Sequence, residues 1–506
     1  MARYKHTDVA AGQGIFLSVN LKEQLLPGIF EQMLDEIIGT KIDISDFDQN
    51  YKNDNTGASA IPPEVLIKLI IYGYHKGQMS SRKIWKLGLE NVVAKALTGD
   101  MNIHWTTIAA FISGNGDKFK VVFVKVLMYC NELGLIGGEN YAIDGLRLPS
   151  NASIENSGTK AQLEKRLKVY QKMADKHLER HLRKDEQGET DTEDQKRFEK
   201  RQKHLQHQIN KLDNFISGME DKKGKEGQAI RSNVTDNESA TIHSSKGYVQ
   251  GYNAIAAADQ KSQVVVSAEV FGTANEGEHL PEILDGIARN LEAAGFVPNS
   301  DKPATALCDA NYFSEENLRA CQERGMDVII PDVQENRRSD AEGNKKYDIN
   351  DFTYDAAENK CTCPKGKSLE HKGTTELKGV EQDIYQASLT DCKACPDFSR
   401  CTWSKKDQSE INQGRKLLIP KGKVAGESGS LCNKMREKLA TEECQARYAH
   451  RIQIVEPVFA DIRYCKGLDR FTLRGKDKVN GQWQLYIIVH NLGKCLNGYN
   501  EGKKCA

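Results

Sequence analysis

The sequence predicts an α/β protein: a mixed sheet with flanking helices, a helical N-terminal domain, an inserted helical hairpin and a small cysteine-rich insertion. Three observations predict it. Short Val-, Ile- and Ala-rich runs alternate with helical apolar spacing between residues 141 and 331, as strands and helices do in turn. Residues 60–114 carry apolar positions at three-to-four spacing, punctuated by Gly, Ser and Pro. Residues 155–228 abandon both patterns for dense mixed charge.

The N-terminal domain, residues 1–136, begins its clear periodicity at "IPPEVLIKLIIYGYHKG". Its prolines suit a helix start, and Val65, Leu66, Leu69, Ile70 and Tyr72 fall on one face. "SSRKIWKLGLENVVAKALTG" predicts one helix from a Ser N-cap to a stop at Gly99, and "HWTTIAAFISGNG" starts a third. Three short helices fit a helix-turn-helix-like arrangement and fit a plain bundle equally well. A further helix over 118–136 ends at "GLIGG", and "YAID" has the residue types of a buried strand.

The core of the α/β domain is read in pieces: 137–154, 229–331 and 431–506. The first interruption, 155–228, places Leu163, Leu167 and Tyr170 on one helix and Leu205, Ile209, Leu212 and Ile216 on another, around the turn "KDEQGETDTED". "GYNAIAAADQKSQVVVSAEVFG" reads as two strands joined at "DQKSQ". The helix "EHLPEILDGIARNLEAAG", the strand "ATALC", the helix "SEENLRACQERG" and the strand "DVIIPD" follow. The second interruption, 332–430, holds the cysteines, and beyond it come a helical stretch broken by Pro457 and an apolar helix or strand at "GQWQLYIIVHNLGKC".

Composition narrows the function classes. No apolar run approaches the ~20 residues of a membrane helix, and "MARYKHTDVA" lacks a signal-peptide apolar core, so a cytoplasmic protein is expected. In that compartment 13 cysteines are not a disulfide framework. With 71 basic and 71 acidic residues there is no basic surplus, so a phosphate backbone would have to be met by a local patch.

Two carboxylates are delivered in the same way. Asp144 ends "YAID" and Asp309 follows "ATALC", each at the end of a short apolar run. Either alone is more often a turn former or helix cap, and Ser314 with Glu316 or Asn317 could cap the helix after Asp309. A third acid, Glu456, lies in a late helix among Tyr448, Arg451 and Arg463; a surface acid paired with Arg463 is its plain structural reading. Cys363, Cys392, Cys395 and Cys401 give the spacing Cys…Cys-x₂-Cys-x₅-Cys, with Cys361 left over. Four thiolates suit a tetrahedral structural Zn²⁺ site; the alternative is a set of reduced thiols around a loop. Cys130, Cys308 and Cys321 lie on apolar segments and read as core packing. His279 reads first as a helix-start or surface residue, with a place near the metals as the alternative, and Asp259 reads as a turn residue.

These motifs together resemble bacterial insertion-sequence transposases of the DDE type, closest to a branch with an InsH-type helical N-terminal domain and a cysteine cluster before the last acid. "LIIYGYHKGQMSSRKIWKL" and "HWTTIAAFI" resemble its N-terminal signature, "AIDGLRLPSNAS" its first-aspartate motif and "LCDANYFSEENL" its second. "GYNAIAAADQKSQVVVSAEV" resembles its central strand pair, and "RIQIVEPVFADIRYCKGLDRFTLRG" its terminal block. The resemblance implies a ribonuclease-H-like catalytic domain with Asp144, Asp309 and Glu456 as a triad holding two Mg²⁺ or Mn²⁺ ions. It also implies Tyr448, Arg451 and Arg463 beside the glutamate, with the arginines on phosphates. Arg82, Lys83 and Lys86 of the helical domain would contact the phosphates of the element's ends. The expected partners are double-stranded DNA, as terminal inverted repeats and as target, and a second copy of the chain in the end-paired complex. The expected place is the bacterial cytoplasm, on the nucleoid when DNA-bound. The rivals are a catalytically silent, domesticated DNA-binding relative, for which "DANY" is the motif's departure, and a nuclease that never joins strands.

Overall fold

The computed structural model describes residues 20–51, 59–187, 191–220, 222–224, 227–244, 247–298, 303–332, 346–347, 351–355, 360–377, 380–401, 407–420 and 431–505. The segment "MARYKHTDVA" and residues 188–190 of the charged segment lie outside them.

The N-terminal part is helical: α1 (Phe30–Ile37), α2 (Pro63–His75), α3 (Ser81–Glu90), α4 (Val92–Thr98), α5 (Trp105–Gly114) and α6 (Gly116–Glu132). The single helix expected from "SSRKIWKLGLENVVAKALTG" is two. Asn91 takes an extended conformation, and its side chain accepts from the Ala94 amide at 3.0 Å, so one residue ends α3 and caps α4. Gly99 stops α4 in the left-handed region, at φ 63°.

The central sheet contains β1 (Asn140–Pro149), β4 (Ala240–Ser244), β5 (Gly247–Asp259), β6 (Val265–Phe271), β7 (Thr305–Cys308) and β8 (Asp327–Ile329), and β2 (Ser157–Gly158) pairs with β3 (Ser232–Asn233) outside it. Its order is β6-β5-β1-β7-β8, with β4 sharing the outer edge of β5. β5 is antiparallel to both β1 and β6, whereas β7 and β8 run parallel to β1. Helices α9 (Leu280–Ala293) and α10 (Glu315–Glu323) connect the parallel half. This mixed sheet, with helices before and around it, is consistent with a ribonuclease-H-like core.

The segment "GQWQLYIIVHNLGKC" is helical, inside α15 (Lys476–Cys505), and Val479, Trp483 and Leu485 to Val489 are buried. Its amides and indole complete the backbone hydrogen bonding of the sheet. Asn480 and Asn491 accept from the Val270 and Val265 amides, Gln484 donates to the Ala268 carbonyl, and Trp483 donates to the Ile255 carbonyl. An edge strand is thus closed by side chains of a covering helix, which keeps it from recruiting another chain. The N-terminal helices, the central sheet and α15 share one continuous hydrophobic core.

The charged segment forms α7 (Lys160–Glu186) and α8 (Thr192–Ser217), two long helices packed on each other. Thr159 and Gln162 make a capping box for α7, and Asp191 caps α8. Between 332 and 430 the described residues hold more than a cysteine loop. Here β9 (Thr353–Asp355), β10 (Lys360–Thr362), β11 (Ser368–Leu377), β12 (Val380–Ala387) and β13 (Lys416–Pro420) form an antiparallel sheet, with the short helices α11 (Leu389–Lys393) and α12 (Phe398–Cys401) between the last two strands. This sheet has its own core, separate from the first.

The chain returns through α13 (Leu431–Leu439) and α14 (Glu442–Ala460), which Thr441 separates by capping α14. Pro457 sits inside α14. A proline has no N–H for the carbonyl four residues back. That carbonyl, of Gln453, accepts from the Gln263 side chain at 2.9 Å instead, and the helix continues into a π-turn over Asp461–Cys465.

Candidate active site

The strand register brings the two aspartates together. Ile143 pairs with Cys308 across the parallel β1–β7 ladder, so Asp144 and Asp309 are the next residues on adjacent strands. Neighbouring strands lie about 4.8 Å apart. The C-terminal ends of parallel strands, where a central strand has neighbours of both orientations, are where α/β sheets place ligands.

Asp144 is half-buried where the β1–β7 ladder ends. Its carboxylate accepts from the Gly145 amide at 2.8 Å and pairs with the Arg451 guanidinium at 2.8 Å. Burial pushes its pKa up to about 6, against the pull of Arg451 and the Gly145 N–H, with the Glu276 and Asp309 carboxylates adding to the rise. Asp309 follows β7 and makes no cap bond; Ser314 caps α10 by accepting from the Asn317 amide. The capping role open to Asp309 in the sequence is therefore filled by another residue, and its Oδ2 accepts from the Asn311 side-chain amide at 2.9 Å.

Helix α14 crosses β1 on the other side. Arg447 donates to Asn140 and Thr305 near the start of β1 and β7, and Arg451, one turn on, reaches Asp144 and the Ile143 carbonyl. Tyr448 is half-buried, and its hydroxyl is pushed up to about 12 by burial, with the Asp309 and Asp144 charges contributing and Arg451 opposing. Glu456 lies on the exposed face of α14, and no ion pair joins it to Arg463. Tyr448 and Glu456 are eight residues apart on one helix, which at 3.6 residues per turn sets them about 80° apart around its axis. Arg463 falls in the π-turn, exposed beside the Tyr464 ring, and does not share the buried face of Arg451.

One buried carboxylate escaped the sequence reading, and another matches it. Glu276, between β6 and α9, is 5% exposed at its side chain and reaches Arg147 and Asn311. Its sequence neighbourhood, "TANEGEHL", has no strand or helix pattern to mark it. Asp259 is buried at the β5–β6 turn and accepts from the Gly137, Gly138 and Lys261 amides, as a turn residue does. His279 stacks on Phe271 with ring centroids 3.8 Å apart and hydrogen-bonds Thr273, so it is structural.

Among the described residues no group of three or more His, Cys, Asp or Glu side chains is arranged to hold a metal ion. At Asp144 the counter-charge is the Arg451 guanidinium. Cys363, Cys392, Cys395 and Cys401 line one pocket with Lys367, Asp391 and Arg415. The Lys367 amide donates to the Cys363 sulfur at 3.3 Å and the Arg415 amide to the Cys392 sulfur at 3.4 Å. Burial pushes the Cys401 thiol up to about 11, opposed by Arg415 and reinforced by Cys392, Cys395 and Cys363. Cys361 is buried in the second sheet's core, outside this pocket. Cys130, Cys308 and Cys321 are buried, with Cys130 Sγ 3.4 Å from Cys495 Sγ.

In the helical domain, Arg82, Lys83 and Lys86 are exposed on α3. Arg82 lies over the Trp105 ring at 4.6 Å, and Lys86 reaches Glu90 at 3.6 Å. No helix among the described residues is long and apolar enough to cross a membrane.

The expectation of two strand ends holds for Asp309 alone, since Asp144 lies inside β1, which runs on to Pro149 against β5; what ends beside Asp144 is the β1–β7 ladder. An α/β sheet with two acids where a parallel ladder ends, crossed by a helix bearing Tyr448, Arg451 and Glu456, defines the class of protein to compare. Residues 19–114 match the model of a transposase domain (DUF772), and residues 362–496 match the model of a transposase DDE domain. Two separate parts of the chain are thus similar to transposase domains. No curated protein matches it.

Proposed function

We propose that the chain is a DDE transposase, which cleaves DNA at the terminal inverted repeats of an insertion sequence and joins the 3′-hydroxyl ends to a target. The observation that carries the reading is the β1–β7 register, which sets Asp144 beside Asp309 with α14 laid across them.

The donor set fits hard divalent cations: carboxylates without histidine suit Mg²⁺ or Mn²⁺. Asp144 takes a cationic partner in Arg451, and the Glu276 and Asp309 carboxylates add negative charge around it. Asp144, Asp309 and Glu456 would hold two such ions. Bound there, they supply Lewis-acid activation of the attacking oxygen and stabilisation of the leaving one. The protein's own groups do the rest. The β1–β7 ladder fixes the spacing of the two aspartates, and α14 would supply Glu456 as the third carboxylate. Tyr448 borders the aspartates, where its hydroxyl would orient a phosphate oxygen. Arg451 would exchange its pairing with Asp144 for a scissile phosphate once a cation neutralises the carboxylate, and exposed Arg463 would meet the flanking backbone.

Arg82, Lys83 and Lys86 would contact the phosphates of the element's ends, with a second copy of the chain holding the other end. The four-cysteine pocket would take a structural Zn²⁺: thiolates in a loop-rich, thinly packed sheet, two of them already receiving backbone N–H groups, are suited to it. Work on DNA implies the cytoplasm and the nucleoid.

The test is cleavage and strand transfer on labelled DNA carrying the element's own end in Mg²⁺ or Mn²⁺, with Asp144→Asn in parallel. Metal-dependent joining that the variant loses is expected. Cutting without transfer would favour a nuclease. Tight end binding with no cutting in either metal would favour the silent DNA-binding relative, the reading that the exposed position of Glu456 supports best.

A further inference from the structure

Glu276 is the buried acid that the three-carboxylate scheme leaves unused. Its Oε1 is fully engaged, accepting from Arg147 at 3.3 Å and from the Asn311 amide at 2.8 Å. Its Oε2 is buried and has no partner among the described residues. Leaving a buried carboxylate oxygen unpaired is costly, and such a group calls for an unseen ligand. Oε2 is aimed at β1 beside Asp144: a Cβ built on Gly145 would stand 2.6 Å from it. Gly145 thus keeps open the space that the carboxylate enters, and a glycine inside a strand often marks such a close approach. The other buried polar atoms without partners here include the Tyr312 hydroxyl, whose phenol feels the Glu276 charge, and Arg451 Nε.

Connectivity places Glu276 in the same site as the two aspartates. The Asn311 side-chain amide donates to both Glu276 Oε1 and Asp309 Oδ2. The Glu276 charge also acts on Asp144. Counting the groups that face the cleft, the carboxylates of Asp144, Asp309 and Glu276 meet two guanidiniums, Arg451 and Arg147. One negative charge is left over before Glu456 is added, and the unpaired oxygen is where a cation could be received.

We propose that Glu276 is a fourth acidic ligand of the divalent-cation site, offering Oε2 to an ion shared with Asp144 while Oε1 holds Asn311 and, through it, Asp309. The proposal rests on the reading of Asp144 and Asp309 as a cation site.

The experiment is Mn²⁺ binding to the full chain without DNA, followed by the loss of the free-ion electron paramagnetic resonance signal. Wild type is compared with Asp144→Asn, Glu276→Gln, Asn311→Ala and Gly145→Ala, each checked for an unchanged thermal unfolding profile. Glu276→Gln keeps an acceptor for Arg147 and Asn311 but removes the charge, and a loss of roughly tenfold or more in Mn²⁺ affinity is expected. Asn311→Ala is expected to lose less. Wild-type binding in Glu276→Gln alongside weakened binding in Asp144→Asn overturns the proposal and leaves the cation site standing. Equal losses in Asn311→Ala and Glu276→Gln would make Glu276 a positioning residue for Asp309, which also overturns ligation. If wild type and Asp144→Asn bind alike, the cation site itself is wrong and the proposal goes with it. Should Glu276→Gln fail to fold, Gly145→Ala decides: its methyl group displaces Oε2 with every carboxylate retained, and unchanged affinity there overturns the proposal.

Discussion

The two sheets of this chain are held by different means. In the central sheet, Ala142, Ile143 and Ala254 to Ala258 are fully buried, and α15 lies across it with Trp483 and Ile487 inaccessible to solvent. The second sheet, β9 to β13, gathers seven buried side chains among the described residues: Phe352, Cys361, Leu369, Tyr385, Ala387, Leu417 and Ile419. A core of that size supplies little net stability by itself, and small units of this kind usually rely on a staple. Where packing is abundant, polar residues can be spent on chemistry at the strand ends. Where it is thin, the clustered cysteines are better explained as part of what holds the fold.

The largest effect should come from the first sheet's packing. Trp483→Ala removes a fully buried indole and leaves the Ile255 carbonyl without its donor, so stability should fall by about 3–5 kcal/mol in denaturant titrations. A loss below about 1 kcal/mol would break the contrast, because the central sheet would then not depend on the helix that covers it. The second sheet should respond to another treatment. Strong chelation, or Cys392→Ser with Cys395→Ser, is expected to expose the β10–β13 region to hydrogen exchange and proteolysis while the β1–β7 amides stay protected. Uniform protection after verified metal removal would show that the small core suffices alone.

The same contrast governs what could be read from the sequence. Asp144 and Asp309 were legible because a buried parallel strand writes itself as an apolar run; at Asp309 the run and the strand stop together, whereas at Asp144 only the parallel pairing stops and β1 continues to Pro149. The second sheet was not legible as a sheet. Its strands "SLEHKGTTEL" and "VEQDIYQA" carry few apolar residues, so alternation is faint and only the cysteines stand out. Asn91 was hidden inside an otherwise continuous helical pattern, because capping depends on a backbone change that a single polar residue barely announces. Glu276 lay between elements, where no periodicity assigns a face. Its one signal was indirect: Gly145 directly after Asp144, a glycine in a strand with no turn to justify it. Arg451 could be matched to its motif, but its inward turn onto Asp144 follows from the packing of α14 on β1, which spacing alone does not set.

The well-packed core has a vulnerability of its own, and pH should find it. His75 stacks on Phe30 with centroids 3.9 Å apart, and burial, helped by the Lys76 charge, lowers its pKa to about 4. Burial also lowers His490, against the pull of Asp461 and the Gln263 carbonyl. Both folded-state values lie below the unfolded ~6.5, so the unfolded chain takes up protons first as the pH falls. Stability should therefore be fully present above pH ~7 and decline from about 6.5 towards 4. The His75 share is on the order of 1–2 kcal/mol by pH 5. His75→Gln should flatten part of that decline, and an unchanged slope in pH-dependent melts would argue that the imidazole is more accessible than its stacking implies.

The smallest effect on the fold should come from Lys86, and that smallness is what makes it informative. Its ammonium reaches Glu90 at 3.6 Å with both side chains about two-thirds exposed. An ion pair so open to water and salt contributes little, so Lys86→Ala should change stability by no more than about 0.5 kcal/mol. If α3 presents its cations to a phosphate backbone, the same substitution removes one displaced counterion from the complex. Binding to duplex DNA should weaken similarly for any sequence, and the slope of log affinity against log salt should shrink by about 1. A variant that melts as wild type and binds DNA with an unchanged salt slope would remove Lys86 from the DNA interface. A variant that loses stability instead would show that the exposed face of α3 serves the fold, and the division between packed interior and working surface would have to be redrawn at this helix.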